Sequence, residues 1–170
     1  MSESTGCAVC QKPKAPKTCE LCHASICKSC QETLAADAFL YQAKRAPFLE
    51  HKSYCVRCYE EQVVPALQAY EEMSEKAKDV YYLSKAYPGY IRVLQRHTRR
   101  VEVPDCDDRR ETILRMAFMA AEMGFNAIIE AEVESFKTRY HAYQSARWKG
   151  SAMPAKIDGE HLELTSLRRI

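Results

Sequence analysis

The N-terminal third of the chain carries four Cys-x-x-Cys pairs, which are Cys7-Ala-Val-Cys10, Cys19-Glu-Leu-Cys22, Cys27-Lys-Ser-Cys30 and Cys55-Val-Arg-Cys58. Two thiolates at this spacing lie on one tight turn and can bind the same tetrahedral metal ion, and two such turns complete a four-cysteine zinc site. The pairs therefore predict two structural Zn2+ ions with all eight cysteines as ligands. The spacing alone leaves open whether neighbouring or alternate pairs share an ion.

Disulfide bonds are the alternative use of so many cysteines, but they need an oxidising compartment. The chain begins Met1-Ser-Glu-Ser-Thr-Gly, without the basic and apolar regions of a secretory signal, so we expect a cytoplasmic protein with reduced thiols. Residues 1–30 contain only Val9, Leu21 and Ile26 as larger aliphatic side chains, too few to offset the loss of chain entropy. Metal binding, worth on the order of 10–16 kcal/mol per structural site, is expected to supply the folding free energy.

The overall composition excludes several protein classes. The 170 residues are 46% hydrophobic and 28% charged, which is ordinary for a folded soluble protein and argues against wholesale disorder. No apolar run approaches the roughly 18 residues needed to span a bilayer. A net charge of +2 is too balanced for a dedicated nucleic-acid-binding protein.

Residues 7–62 resemble the FYVE zinc fingers. The resemblance rests on the pairs at 19–22 and 27–30, which are four residues apart, and on the ending Tyr54-Cys-Val-Arg-Cys-Tyr-Glu60. It implies interleaved ligation, with one ion bound by Cys7, Cys10, Cys27 and Cys30 and the other by Cys19, Cys22, Cys55 and Cys58. RING-type fingers, the nearest alternative, usually carry a histidine ligand, whereas all eight positions here are cysteine.

The segment that binds phosphatidylinositol 3-phosphate in FYVE domains differs in this chain. The basic, double-histidine run of that family is replaced by Lys14-Ala-Pro-Lys17-Thr18, although Lys12, Lys14 and Lys17 could form a small basic lip. The side chains of residues 1–62 sum to +1, and eight thiolates with two Zn2+ ions change this to −3. A finger of that sign is not attracted to anionic lipid, so phosphoinositide binding is an alternative to a protein-binding role.

Two helical patterns follow the third cysteine pair. Residues 31–45 are rich in helix formers and predict a short helix ended by Pro47. From Tyr59 to about Lys85, apolar residues recur every three or four positions, with Pro65 in the first turn or at a mild kink. We therefore predict a finger over residues 1–62, a linking helix over 63–86 and a further domain over 87–170.

The third region predicts a βαββ domain with antiparallel strands, so that the fold class is α+β. Residues 91–103 are strand-like, Asp108 with Glu111 forms a capping-box start for a helix, and Gly124 ends that helix. The next strand alternates, which predicts that Ala127, Ile129, Ala131 and Val133 face the helix while Glu130, Glu132 and Glu134 face away. Asp158-Gly159 predicts a hairpin to a strand at 160–165.

Three features of this region are candidate chemical sites: a basic face, Cys106, and the outward carboxylates of Glu130, Glu132 and Glu134, which could form a metal or catalytic site. Arg92, Arg96, Arg99, Arg100 and His97 form a basic face that could bind phosphate or RNA. We expect the row of glutamates to neutralise that face through cross-strand ion pairs instead. Cys106, before the helix and among aspartates, is interpreted as an ordinary loop cysteine, since it has no evident histidine partner.

The same region is also similar, over about 50 residues, to a small bacterial family labelled putative heavy-metal-binding, or YbjQ-type. The similarity lies in Ala121-Glu-Met-Gly-Phe-Asn-Ala-Ile-Ile-Glu130 and in Trp148-Lys-Gly-Ser-Ala-Met153. It implies a βαββ unit that assembles into symmetric rings. It implies no metal ligand, because residues 107–170 have only two histidines and no cysteine.

No phosphate-binding loop, nucleophile elbow or HExxH motif occurs in the sequence, so we expect no enzyme activity. The sequence therefore predicts a non-enzymatic, cytoplasmic, zinc-binding adaptor protein. Its finger would bind an unidentified protein partner and its C-terminal domain would self-associate into a homo-oligomer. A phosphoinositide-dependent membrane-targeting protein and a metal-handling protein are the alternatives, and nucleic acid is not an expected partner.

Overall fold

The chain forms two compact units in the computed structural model, which describes residues 6–140 and 143–159. Among these residues, one unit comprises 6–40 and 44–71, and the other comprises 41–43, 72–140 and 143–159. The first contains the eight paired cysteines, and the second contains a mixed sheet with one long helix. None of the helices in the described ranges is both long and apolar enough to cross a membrane.

The first unit has very short strands, as expected of a segment with few aliphatic residues. Strand β1 (Lys17–Thr18) pairs antiparallel with β2 (Ser25–Ile26), and β3 (Gln31–Glu32) pairs antiparallel with β4 (Tyr54–Cys55). Each of these small sheets joins segments that carry different cysteine pairs. Regular hydrogen bonding alone is too sparse here to hold the chain in place.

The helix predicted over residues 31–45 is absent. The segment begins with β3 and continues as consecutive turns, in which Ala38 N–H donates to Ala35 O and Leu40 N–H donates to Asp37 O, both at 3.1 Å. Pairing of Gln31 with Cys55 fixes its start, and an isolated helix of this length is marginal in water. Pro47 opens a 3-10 turn (Pro47–Leu49) instead of ending a helix.

These turns place side chains in a small core instead. The fully buried members are Phe39, Leu49, Tyr54 and Val63. Phe39 meets Tyr70 edge-on at 5.0 Å between ring centroids, and the Tyr54 hydroxyl donates to Phe48 O at 2.7 Å. The insert between the third and fourth cysteine pairs therefore supplies the apolar core that residues 1–30 lack.

A helix leaves the last cysteine pair and extends to Lys78. It consists of one α-helical turn, α1 (Val56–Cys58), a π-helical segment (Tyr59–Val63) and α2 (Val64–Lys78). Pro65 explains the widened segment, because proline has no N–H to donate and its ring clashes with the carbonyl four residues before it. Pro65 is the second residue of α2, so the predicted position in a first turn is confirmed.

The second unit is built on a five-stranded sheet. Its elements are β5 (Tyr81–Ser84), β6 (Val93–Arg96), β7 (Val101–Cys106), α3 (Arg109–Glu122), β8 (Ala127–Tyr140) and β9 (Tyr143–Ile157). The strand order is β5-β8-β9-β6, with β7 also paired to β9. Only the β5–β8 pair is parallel, and the other pairs are antiparallel.

Two boundaries in this unit differ from the prediction. The linking helix was expected to reach about Lys85, but it ends at Lys78 and residues 81–84 form β5. Leu83 is buried there, and β5 pairs with a strand more than forty residues away in sequence, which local periodicity does not reveal. The expected single strand at 91–103 is two strands, since the chain turns at residues 97–100. The unit is therefore βββαββ instead of βαββ.

The helix after Asp108 is confirmed. Asp108 Oδ1 accepts a hydrogen bond from Glu111 N–H at 2.7 Å, as a capping residue should. Glu111 Oε2 in turn accepts from Asp107 N–H at 2.9 Å. The reciprocal bond of the predicted capping box is therefore made by Asp107 and not by the N-cap residue Asp108. Gly124, with φ of 79°, is the left-handed residue that follows the helix.

The side of the sheet that α3 covers is identified by Gly150 of β9. A Cβ atom at Gly150 would lie 2.7 Å from Thr112 Cγ2 and 3.0 Å from Met116 Cε, both on α3. Strand β9 runs without a bulge past β8, so Ala152 and Pro154 share the face of Gly150. Ile128 pairs with Pro154 and therefore faces α3 as well.

The predicted orientation of Ala127 and Ile129 is consequently wrong. A β-bulge lies between Ile129 and Glu132, and Glu130 within it has φ of 51°. The extra residue reverses the alternation, so that Val133, opposite Gly150, faces α3 as predicted, whereas Ala127 and Ile129 do not. These two residues pack with Leu83 and with the end of β9 on the other face.

The predicted hairpin at Asp158-Gly159 lies at the limit of the described residues. The strand expected at 160–165 falls outside them.

Replacing Gly150 with alanine is expected to destabilise the second unit by about 1–3 kcal/mol, because the added methyl group meets buried, β-branched Thr112. Thermal or urea unfolding followed by circular dichroism measures the effect. Ala146→Val, which adds carbon to an exposed position of the same strand, is the matched control and should change stability little. Equal effects of the two substitutions would show that the helix and strand do not approach as closely as described.

Candidate metal centres

The eight paired cysteines form two separate tetrads. One contains Cys7, Cys10, Cys27 and Cys30, and the other contains Cys19, Cys22, Cys55 and Cys58. Within each tetrad the four Sγ atoms lie within 4.8 Å of one another. The grouping is the interleaved one that the FYVE resemblance implied, in which alternate pairs along the chain come together.

Each tetrad begins with a tight turn of the same construction. After Cys10, Gln11 has φ of 58°, and Gln11 N–H donates to Cys7 O at 2.7 Å. After Cys22, His23 has φ of 60°, and His23 N–H donates to Cys19 O at 2.8 Å. The left-handed residue turns the chain back so that both sulfurs of the pair point the same way. Gln11 and His23 were not predicted as turn residues, although each directly follows a Cys-x-x-Cys pair, which was a usable signal.

The second half of each tetrad comes from a short helical turn. Cys27 precedes the 3-10 turn Lys28–Cys30, and Cys55 precedes α1, each with extended backbone as an N-cap residue. Cys58 N–H donates to Cys55 Sγ at 3.4 Å. A helical turn places the first and last cysteine of the pair on one side. Each tetrad therefore consists of one pair on a tight turn and one pair at the start of a helical turn.

Backbone N–H groups around the sulfurs favour thiolate. Hydrogen bonds from the backbone of Cys10 and Cys27 lower the pKa of Cys7 to about 6, and Cys27 N–H lies 3.3 Å from Cys7 Sγ. Burial raises the pKa of Cys19, but N–H donors of Cys22 and Cys55 outweigh it and bring the value to about 6. Thiolate is the form of cysteine that binds metals.

The last cysteine of each tetrad shows the opposite shift. Side-chain contacts with Cys10 and Cys27 raise the pKa of Cys30 to about 12, and burial raises the pKa of Cys58. Four thiolates this close repel one another, so they do not all ionise without a cation among them. A divalent ion at the centre of each tetrad removes this conflict.

The sulfur positions fit a tetrahedral metal ion. For a metal–sulfur bond of about 2.3 Å, two sulfurs of a tetrahedron are about 3.8 Å apart. Cys10 Sγ and Cys27 Sγ are separated by 3.6 Å, and Cys22 Sγ and Cys55 Sγ by 3.8 Å. These separations are far from the roughly 2.05 Å of a disulfide bond, and all nine cysteines are free thiols. Each tetrad can therefore hold one metal ion.

Buried Ile26 lies with both tetrads in one cluster. It is 0% exposed and packs in a group that includes Cys7 and Cys27 of one tetrad and Cys19 and Cys55 of the other. Val9, by contrast, is 44% exposed. Of the three larger aliphatic residues in 1–30, only Ile26 is fully buried, so the cysteines themselves make up most of this core.

The three lysines of the possible basic lip lie on the surface and do not line a buried site. Lys12, Lys14 and Lys17 are all exposed. Glu20 lies beside the second tetrad, where its carboxylate accepts from Lys52 N–H at 3.1 Å and lies 3.4 Å from His51 Nδ1.

The expected pairing of the glutamate row with the basic face is found for Glu130, whereas Glu132 and Glu134 pair with lysines. Glu130 contacts Arg96 at 2.8 Å and Arg100 at 3.7 Å, and Arg92 lies 3.6 Å from Asp158. Glu132 pairs with Lys85, and Glu134 lies 3.4 Å from Lys149. Arg100 also donates to Glu130 O at 2.8 Å, so it holds the bulge of β8 in place.

The second unit also contains a cavity and a buried cysteine. A cavity of about 350 Å3 is lined by the ion-paired Glu132, Glu134 and Lys149 and by Glu102, among others. Cys106 is buried on β7 and not in a loop as expected, and burial raises the pKa of its thiol. It belongs to neither tetrad.

Comparison of this chain with protein-family models, curated proteins and solved structures finds no match. The FYVE and YbjQ-type resemblances therefore rest on the quoted residues alone.

Paired substitutions test which cysteines share an ion. Cys10→Ser with Cys27→Ser removes two ligands from one tetrad, so this variant should lose one of two bound ions. Cys10→Ser with Cys22→Ser removes one ligand from each tetrad and should weaken both sites. Native mass spectrometry counts the ions. Sequential ligation would give the reverse result, with both sites weakened in the first variant and one ion lost from the second.

Gln11→Gly is expected to stabilise the metal-loaded protein by about 0.5 kcal/mol, since glycine relieves the left-handed strain but adds entropy to the unfolded chain. Lys14→Gly is the control, because Lys14 is exposed and has no positive φ, and it should not stabilise. Urea unfolding at fixed metal concentration measures both. A loss of stability in Gln11→Gly would contradict the turn geometry.

Proposed function

We propose that the protein is a non-enzymatic zinc-binding adaptor, in which two structural Zn2+ ions shape an N-terminal protein-binding finger and the C-terminal domain self-associates. The observation that carries the proposal is the coordination chemistry of the tetrads. Four thiolates fill all four positions of a tetrahedral ion, and an all-cysteine tetrahedral set is typical of structural zinc. Such an ion has no open position for water or substrate, so it holds the chain without catalysing a reaction.

The finger has the properties of an interaction module more than of a lipid-binding one. With both ions bound, residues 1–62 carry about −3, which opposes attraction to anionic headgroups. Two large apolar side chains, Val9 at 44% and Leu40 at 36%, are exposed on this unit. In this proposal, Val9 and Leu40 are the apolar side chains of the finger that a protein partner would contact.

Zinc content and zinc release test the structural role. The full-length protein, purified under reducing conditions, should contain two zinc ions per chain by elemental analysis. A colorimetric zinc chelator removes the zinc and reports its release, while circular dichroism reports the loss of structure in the first unit. The two processes should have the same rate, because the metal supplies the folding free energy. Zinc that leaves while the finger stays folded would favour a metal-handling protein.

Binding experiments separate the adaptor role from membrane targeting. Immobilised zinc-loaded protein should capture a defined set of proteins that is lost in Val9→Asp and Leu40→Asp variants retaining two zinc ions. Leu94→Asp, at a residue 56% exposed in the second unit, is the control and should keep them. Flotation with vesicles containing phosphatidylinositol 3-phosphate, abolished by Lys14→Glu and Lys17→Glu, would instead support the lipid-binding alternative.

A further inference from the structure

The cysteines of each tetrad differ in how far solvent reaches them. In the tetrad that begins at Cys7, only Cys10 is exposed, while its three partners are buried. In the other tetrad only Cys22 is exposed, Cys58 is partly accessible, and the remaining two cysteines are buried. A soluble oxidant therefore meets the same position first at both sites, which is the second cysteine of the pair on the tight turn.

The exposed sulfur of each tetrad lies beside a buried sulfur from the other half of the site. Cys10 Sγ is 3.6 Å from Cys27 Sγ, and Cys22 Sγ is 3.8 Å from Cys55 Sγ. Cys27 and Cys55 hold equivalent places, because each precedes a short helical turn and has extended backbone. Thiols that respond to oxidants are typically accessible and lie next to a second cysteine that completes a disulfide. Both tetrads have this arrangement.

A disulfide between these sulfurs requires only a small movement. The two sulfurs would approach by about 1.5–1.8 Å to reach the roughly 2.05 Å of an S–S bond. Each bond would join the tight turn to the helical turn, which are the two halves that a metal ion joins in the reduced protein. The halves of each tetrad would thus stay together without an ion. Reduction would then return the four sulfurs to a site that is already nearly assembled.

We propose that Cys10 and Cys22 are the sites at which hydrogen peroxide attacks the finger, and that each then forms a disulfide with its neighbour, Cys27 or Cys55, with release of the bound zinc. This inference rests on the structural zinc of the proposed function and adds a chemical control over it.

The oxidation of one tetrad consumes one peroxide molecule and two thiolates. The Cys10 thiolate attacks a peroxide oxygen, so that an S–O bond forms, the O–O bond breaks and hydroxide leaves. The Cys27 thiolate then attacks the Cys10 sulfur, so that the S–S bond forms and a second hydroxide leaves. The two cysteines lose two electrons in total, and the peroxide becomes two water molecules after uptake of two protons. Two thiolates remain, too few to complete a tetrahedral site, so the zinc ion dissociates. The same steps apply to Cys22 and Cys55.

Disulfide mapping tests the proposal in the full-length, zinc-loaded protein. Hydrogen peroxide is added, free thiols are blocked with iodoacetamide when about a tenth of the zinc has been released, and peptide mass spectrometry identifies the bonds. We expect the Cys10–Cys27 and Cys22–Cys55 bonds, one zinc ion released for each bond, and recovery of both ions after reduction with dithiothreitol. Cys106 is the internal control, since it is buried and outside both tetrads, and it should stay reduced. Bonds within a Cys-x-x-Cys pair instead would overturn the proposal.

Histidine substitutions test which sulfur is attacked, because histidine binds zinc but does not form a disulfide. Cys10→His combined with Cys22→His should keep two zinc ions and release them about tenfold more slowly in peroxide, since the exposed thiolates are gone. Cys30→His combined with Cys58→His is the matched control, because it changes the last cysteine of each tetrad, and it should release zinc at the rate of the unchanged protein. Equal release rates for the two variants would contradict the proposal. If either variant binds fewer than two ions, the disulfides mapped in the unchanged protein decide the question.

The zinc content before oxidation keeps this inference separate from the proposed function. A protein with two zinc ions that peroxide does not release would refute only the oxidative control. A protein purified under reducing conditions without zinc would refute the structural role of zinc itself.

Discussion

The gathering of eight cysteine sulfurs into two tetrads is the constraint on which the N-terminal unit depends. Residues 1–30 bury a single larger aliphatic side chain, Ile26, and their strands are two residues long. Neither apolar burial nor backbone pairing on that scale offsets the entropy of ordering the chain. Two tetrads of sulfur, each gathered from segments distant in sequence, provide the missing free energy when a metal ion joins them.

Interleaving makes the two sites interdependent. Cys27 and Cys30 of one tetrad follow Cys19 and Cys22 of the other along the chain, and Ile26 packs against both. If each tetrad holds an ion, the loss of one ion would free a segment that helps to position the other tetrad. The insert before Cys55 adds a core with aromatic side chains, in which Phe39 and Tyr54 are buried.

The second unit is stabilised in a more ordinary way, by a helix packed on a sheet. Its distinctive element is strand β9, which has no bulge. The strands β6, β7 and β8 each contain one extra residue at which their pairing register with β9 shifts. The bulge in β8 is stabilised by Arg100, which donates hydrogen bonds to Glu130 O and to Ser151. Arg100 of the basic face thus helps to fix the register of the sheet at the bulge of β8.

The sequence by itself determined the chemistry of the metal sites and the position of the best-defined helix. Cys-x-x-Cys spacing and the Asp108–Glu111 cap are local patterns, and local patterns can be interpreted without knowing the path of the chain. Only the tertiary structure decided which cysteine pairs come together, because spacing permits either grouping. The turns at residues 35–41, the strand at 81–84 and the reversed face of Ala127 and Ile129 were likewise decided by partners far away in sequence. Non-local pairing overrides local propensity wherever the local preference is worth less than the contacts it would prevent.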